Sequence, residues 1–275
     1  MSIPQFRRAR AVMQSPLPAL AGLAAIMLAE RAASLRSRTQ VEPARSLRNL
    51  TLGALSLLVV STLEGPVARS LAQRVVRRQR GLVQLLPLPP LARDALAFLA
   101  MDYTMYVWHV LTHKVPLLWR LHLVHHIDLD LDATTALRFH AADMLLSVPW
   151  RAAQVALLGT SPRALRVWQG FFFASVVFHH SNLRLPERFE RRLAWVLTTP
   201  RMHGIHHTAE QRLTNSNWSS GLSLWDHLHD SFRLDASPPA VRIGVPAYHH
   251  PRQTGLLASL LLPFLRQRDD WRTRR

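Results

Sequence analysis

The residues in this chain that could do chemistry are histidines, and they come in clusters. Leu121–Ile127 reads LHLVHHI and sets His122, His125 and His126 at the spacing 0, 3, 4. Arg201–Thr208 reads RMHGIHHT and repeats that spacing with His203, His206 and His207. Upstream, His109 and His113 form an HxxxH pair. Residues three and four apart share a helix face, so each cluster is expected to aim its imidazoles at one point. Neutral imidazole is the commonest nitrogen ligand for iron, copper, nickel and zinc. These eight rings are too many for one ion and enough for two.

The donor set narrows the metal. An all-nitrogen, thiol-free site suits non-haem iron and would also accept zinc. A zinc hydrolase keeps three protein ligands and a general-base carboxylate close by, as in HExxH. No Asp or Glu falls inside any of these clusters, which favours oxygen activation at the metal over hydrolysis. A single histidine in an apolar helix is ordinarily a core residue with one hydrogen bond. Eight unliganded imidazoles near a membrane would be costly, and ligation answers that cost. Asp102 lies two helical turns before His109, on the same face, where it could orient a ligand ring through its second nitrogen. On spacing alone His140 and His180 are intermediate. His227 and His229, two apart, and His249 and His250, in a loop, read as surface histidines.

These clusters need elements to hold them. The chain has 275 residues, is 48% hydrophobic, and carries a net charge of +17 that is almost all arginine, Lys114 being the only lysine. A mean hydropathy of +0.02 is high for so basic a chain and suits a membrane protein with charged flanks. The arginines flank apolar runs and line no continuous groove, so an anionic membrane surface is favoured over nucleic acid. The absence of cysteine excludes disulfide frameworks, thiolate zinc sites, iron–sulfur clusters and cysteine nucleophiles.

A basic start with Arg7, Arg8 and Arg10 precedes Leu17–Ala29, an apolar run without a cleavage site, read as a retained membrane helix. Ser46–Leu63 follows and would pair with it as a hairpin. Gly65–Pro90 is basic and reads as a helix facing solvent or lipid head groups. Ala95–Trp119 is a third apolar run carrying His109 and His113. Met144–Leu158 and Leu165–Phe178 form a second hairpin, which leaves one side near His140 and returns to it at His180. That spacing lets the His122 and His203 clusters meet on one face. Gly255–Leu265 is too short to span and reads as interfacial. The expectation is an all-α bundle of about four to five membrane helices with a histidine-rich dimetal domain on one face. Its parts would be a membrane hairpin and connector over 1–94, a catalytic domain over 95–265 and a basic tail over 266–275.

The motifs resemble the fatty acid hydroxylase/sterol desaturase superfamily of membrane di-iron oxygenases, which shows HxxxH, HxxHH and a later HxxHH in this order. The segments LWRLHLVHHIDLDLDATTALRFH, FHHSNLRLP, TTPRMHGIHHT and NSNWSSGLSLWDHL are similar to family blocks, and the resemblance spans roughly 49–265. It implies two iron ions held by His109, His113, His122, His125, His126, His140, His180, His203, His206 and His207. It also implies that Asp102, Asp128, Asn217 and Asp226 support the metal shell. Val110, His179, Ala141, Asp143 and Trp218 depart from the usual residues without removing a ligand.

The resulting expectation is O₂-dependent hydroxylation or desaturation of a sterol, fatty acyl, carotenoid or ether-lipid C–H bond. The enzyme would sit in the cell (inner) membrane with its metal site on the cytoplasmic face. Trp168, Phe171, Phe172 and Phe173 would line the lipid's path or simply pack against the bilayer. No flavin or nicotinamide fingerprint is present, so electrons would come from a separate ferredoxin or cytochrome b5-like donor. A membrane haem protein and a non-enzymatic metal- or lipid-handling protein are the alternatives.

Overall fold

The computed structural model describes residues 17–235, 241–268 and 270–271. The basic start at 1–16 and the end of the tail at 272–275 lie outside the described residues. The described residues form helices and loops, with isolated bridges and no strands. In chain order the long helices are α1 (Leu17–Ala32), α2 (Ala44–Val59), α3 (Gly65–Arg77), α4 (Pro90–Lys114), α5 (Pro116–His126), α6 (Ala141–Leu158) and α7 (Pro162–His180). Shorter ones follow: α8 (Glu187–Leu193), α9 (Pro200–His206), α10 (Gln211–Thr214), α11 (Leu224–Leu228) and α12 (Leu256–Leu261).

Two features depart from the sequence expectation, and prolines explain both. Gly65–Arg77 is no separate helix: a π-turn at Val60–Glu64 joins α2 to α3 with helical dihedrals at both joints. Pro66 lacks an N–H and its ring crowds the preceding turn, so a widened turn just before it lets the helix continue. At ~1.5 Å per residue the joined helix exceeds the ~30 Å hydrocarbon thickness. Conversely, the apolar run expected over 95–119 is broken. Val115 is extended (φ −93°, ψ 117°) because Pro116 disfavours helix in the residue before it, and α5 restarts with that proline in its first turn. The break turns the HxxHH box of α5 back toward the HxxxH pair of α4.

Among the described residues, one stretch, Ala44–Leu85, is long and apolar enough to cross a membrane. Among the described residues, the first apolar run forms the 16 residues of α1. The outer surface is nonetheless leucine-rich: Leu47, Leu57 and Leu58 on α2 are 66%, 64% and 59% exposed.

Buried apolar clusters hold the helices together. Ala68 and Ala72 of α3, Met101 of α4, Val155 of α6, and Leu165 and Trp168 of α7 form one. Leu52 joins α2 to Leu123, Val124 and Ile127, around the end of α5, and to Tyr248 and Leu262. Leu23 of α1 meets Ala133, Ala136, Val176 and Val177. Polar locks supplement them. Arg45, at the start of α2, donates to both carboxylate oxygens of Asp128, which also accepts from Asn49 and Gln40. Burial alone would raise the Asp128 pKa, but Arg45, Arg138 and Arg48 hold it well below the usual carboxylate range. Inside the bundle, Glu64 of the π-turn pairs with buried Arg151 of α6, whose guanidinium lies 4.4 Å from the Trp168 ring.

Candidate metal centre

Four elements deliver the clustered histidines to one place. His109 and His113 come from α4, His122, His125 and His126 from α5, His180 from the end of α7, and His203, His206 and His207 from α9 and its cap. Thr199 caps α9 through its side chain, with Pro200 in the first turn, so seven residues suffice to fix a helix there.

The rings sort into two groups of four. His109, His113, His126 and His206 make one, and His125, His180, His203 and His207 the other. Within each group the ligating atoms lie within 4.8 Å of one another. His122 forms a third set with His125 and His126, between the two. This corrects the expectation that each HxxHH box serves one point. Consecutive helical residues diverge by about 100°, so each adjacent pair splits: His125 from His126, and His206 from His207. The boxes therefore serve both groups jointly, and the His126 and His207 rings stack at 4.3 Å across the divide.

The donor chemistry fits metal ions. In the second group the Nε2 atoms of His125 and His203 each lie 3.0 Å from Nε2 of His180, and Nε2 of His207 lies 3.1 Å from that of His203. Each ring nitrogen carries one proton or one lone pair, so a nitrogen with two such neighbours cannot hydrogen-bond both. Adjacent ligands at right angles around an ion with bonds of ~2.1 Å would be ~3.0 Å apart. In the first group Nε2 of His113, His126 and His206 is buried without a partner. Burial holds the imidazoles neutral: the His206 pKa falls to about 3, and those of His203 and His207 fall well below the usual value. Neutral rings are what a metal requires.

Backbone carbonyls orient the rings. Nδ1 of His109 donates to Trp218 O at 2.7 Å, Nδ1 of His206 to Ser216 O at 2.8 Å, and Nδ1 of His180 to Val176 O at 2.7 Å. Each bond fixes the tautomer and turns Nε2 toward the group. These acceptors went unseen in the sequence because every residue type carries a carbonyl. His179 also escaped assignment. It is buried, its ring lies 4.0 Å from that of His203, and neither of its nitrogens has a partner.

Other expected site residues fall elsewhere. His140 lies outside both groups: its Nδ1 accepts from Ala142 N, capping α6, and its Nε2 lies 3.2 Å from Leu260 O. Asp102 does not reach His109, whose second nitrogen Trp218 already occupies. It accepts from Leu222 N and Trp225 Nε1, pinning α4 to the 218–225 loop. Asp128 locks α2, and Asn217 ties Met202 O to Arg233. Asp226 acts at one remove: it accepts from Trp218 N, Ser219 N and Ser231 Oγ, and so holds the segment whose carbonyl orients His109. Asp143 lies 3.6 Å from Nδ1 of His122. Trp168 is 1% exposed and stacks on Phe172, so it belongs to the core; Phe171 packs on Phe98, and Phe173 is exposed.

The fatty acid hydroxylase profile matches residues 95–231, which hold every histidine of both groups. The chain belongs to the fatty acid hydroxylase family. This family member is 29% identical to the ornithine lipid hydroxylase of Rhizobium tropici, over 60% of its own length and 48% of that protein. It is 28% identical to the alkylglycerol monooxygenase of Xenopus tropicalis, over 50% of its own length and 30% of that protein. A cholesterol 25-hydroxylase-like protein of Danio rerio is 29% identical over 51% of the chain and 55% of that protein. The chain thus spans about half or less of the length of the first curated relatives it matches. No solved structure matches it.

Proposed function

We propose that this fatty acid hydroxylase family member is a membrane-bound di-iron oxygenase that uses O₂ to hydroxylate a lipid C–H bond. The observation that carries the reading is the pair of four-histidine groups, side by side and built from the same two HxxHH boxes. Hydroxylation is preferred to desaturation because the similar proteins are named hydroxylases and monooxygenases. The substrate is a lipid.

Iron held by these residues would supply the chemistry that activates O₂ and oxidises an unactivated C–H bond. The chain's own groups do the rest. His109, His113, His126 and His206 would hold one ion, and His125, His180, His203 and His207 the other, with His122 able to serve either. The carbonyls of Trp218, Ser216 and Val176 keep Nδ1 protonated and Nε2 free. Burial of the rings excludes bulk water, which protects a strong oxidant from side reactions. Electrons would come from a separate ferredoxin or cytochrome b5-like donor, since the chain has neither thiolate ligands nor a nucleotide fingerprint. The exposed leucines of α2 and the continuous helix through Arg77 support membrane residence. The proposed location is the inner membrane, with the histidine groups on its cytoplasmic face.

Comparative lipidomics of cells with the wild-type chain and with His206→Ala tests this. A lipid heavier by one oxygen, present only with the wild type, is expected. A species lacking two hydrogens would reassign the chain to desaturation, and identical lipidomes would overturn the oxygenase reading.

A further inference from the structure

The loop after α1 carries a buried cation with no counter-ion. Arg36 is 9% exposed, and no carboxylate among the described residues lies within 4.0 Å of its guanidinium. The acids that act on it from further away, Glu190, Glu30 and Asp132, are paired with Arg201, Arg38 and Arg45. Its donors are only partly engaged: Nη1 donates to Pro200 O at 3.2 Å, Nη2 reaches Ser181 O at 3.5 Å, and Nε has no acceptor. Arg138 shows what a satisfied buried arginine looks like here. Its nitrogens donate to Val124 O, Asn49 Oδ1, Thr254 O and Ser259 Oγ. Buried charge is expensive unless it is paired, and Arg36 lacks that pairing.

Arg36 lines a cavity of about 320 Å³ together with Arg38, Arg242 and His249. Two acids share the wall: Asp132 is neutralised by Arg45, and Asp130 offsets one of the lining cations, which leaves the wall net positive through Arg36 and Arg242. Asp130 accepts from Thr39 N, Thr39 Oγ1 and Gln40 N, and Asp132 from Thr134 N, Thr134 Oγ1 and Arg45. Exposed Arg242 has no side-chain partner among the described residues. Arg36 links the cavity wall to the neighbours of the histidine groups. Arg36 reaches the carbonyl of Ser181, next to His180, and packs so closely on Gly204, next to His203, that a Cβ there would lie 2.3 Å from Nη1.

We propose that this cavity seats the anionic group, phosphate or carboxylate, of the lipid's head group. The assignment rests on the lipid-oxidising reading above and adds to it the class of substrate. A guanidinium fork with free donors suits either anion, because both present paired oxygens to it. Asn182, bonded to both the N–H and the C=O of Arg36, fixes the loop that presents it.

The test reads binding, not turnover. The thermal midpoint of the metal-loaded protein in uncharged detergent is titrated with dihexanoyl phosphatidylglycerol, with uncharged dihexanoylglycerol, and with inorganic phosphate at matched ionic strength. The anionic lipid is expected to raise the midpoint saturably and the uncharged one to leave it. Arg242→Gln, on the surface where folding is safe, should weaken the anionic lipid by about tenfold, the loss of one charge-assisted contact. Arg36→Lys, which keeps the charge but not the fork, should also weaken it. Equal responses in wild type and both variants, or no response to the anionic lipid, would overturn the proposal. So would inorganic phosphate matching the lipid in affinity, which would assign the cavity to a free anion. Lipid binding without any oxygenation would sink the catalytic reading and leave this one standing.

Discussion

Asp226→Ala should weaken one metal group and spare the other. Asp226 is fully buried and accepts from Trp218 N at 2.8 Å, Ser219 N at 3.0 Å and Ser231 Oγ at 2.7 Å. Truncation strands two backbone donors in residues 4% and 0% exposed. At about 1–3 kcal/mol for each unsatisfied buried donor, the local cost is about 2–6 kcal/mol. The segment relaxes, and the Trp218 carbonyl leaves its place 2.7 Å from Nδ1 of His109. Losing such an outer partner lowers metal affinity by about 10–100-fold, or ~1.4–2.8 kcal/mol. The assay is anaerobic titration with ferrous iron, followed by metal analysis at limiting iron. One of two binding steps should weaken by that factor while the other, held by His125, His180, His203 and His207, keeps its affinity. Asp226→Asn retains one acceptor oxygen and should fall between. Equal weakening of both steps, or unchanged binding in a variant that melts earlier, would refute the chain of contacts from Asp226 through Trp218 to His109.

Other consequences follow from the same contacts. His113→Ala and His203→Ala should each lose one ion per chain, from different groups, as read by metal analysis; loss of both ions from either would show that the groups do not bind separately. Removing iron with a chelator should lower the thermal midpoint, and ferrous iron should restore it, because the groups then hold partnerless buried nitrogens. Arg151→Met strands Glu64 inside the bundle and should cost about 3–5 kcal/mol, most of it recovered by adding Glu64→Leu. A double-mutant cycle of thermal midpoints in detergent checks this, and additive losses would contradict it. His140→Ala should lower the midpoint by removing the cap on α6 while leaving two ions bound, as metal analysis would show.

The clustering of these histidines is legible in the sequence, but their division into two groups is not. The 0, 3, 4 spacing marked the histidines, since that pattern is improbable without a shared task. Reading it as one aimed cluster per box ignored the angle between His125 and His126, which is what makes each box serve two groups. Asp102 shares the helix of His109, yet a carboxylate two turns away is not the acceptor nearest that ring; the loop carbonyl of Trp218 is. Such loop carbonyls leave no compositional trace. Pro66 and Pro116 have opposite effects on neighbouring apolar runs: the widened turn at Val60–Glu64 lets the helix continue through Pro66, whereas Pro116 holds Val115 extended and breaks the run. Trp168 read as a lining residue from its aromatic neighbours, but the buried Arg151 guanidinium against its ring makes it part of the core.

Metal content decides the central claim most directly. The purified chain, reconstituted anaerobically with ferrous iron and freed of excess, should carry two iron ions per polypeptide in an all-nitrogen-and-oxygen shell by X-ray absorption at the iron edge. One ion or fewer per chain, or a Soret band in place of that signature, would contradict it.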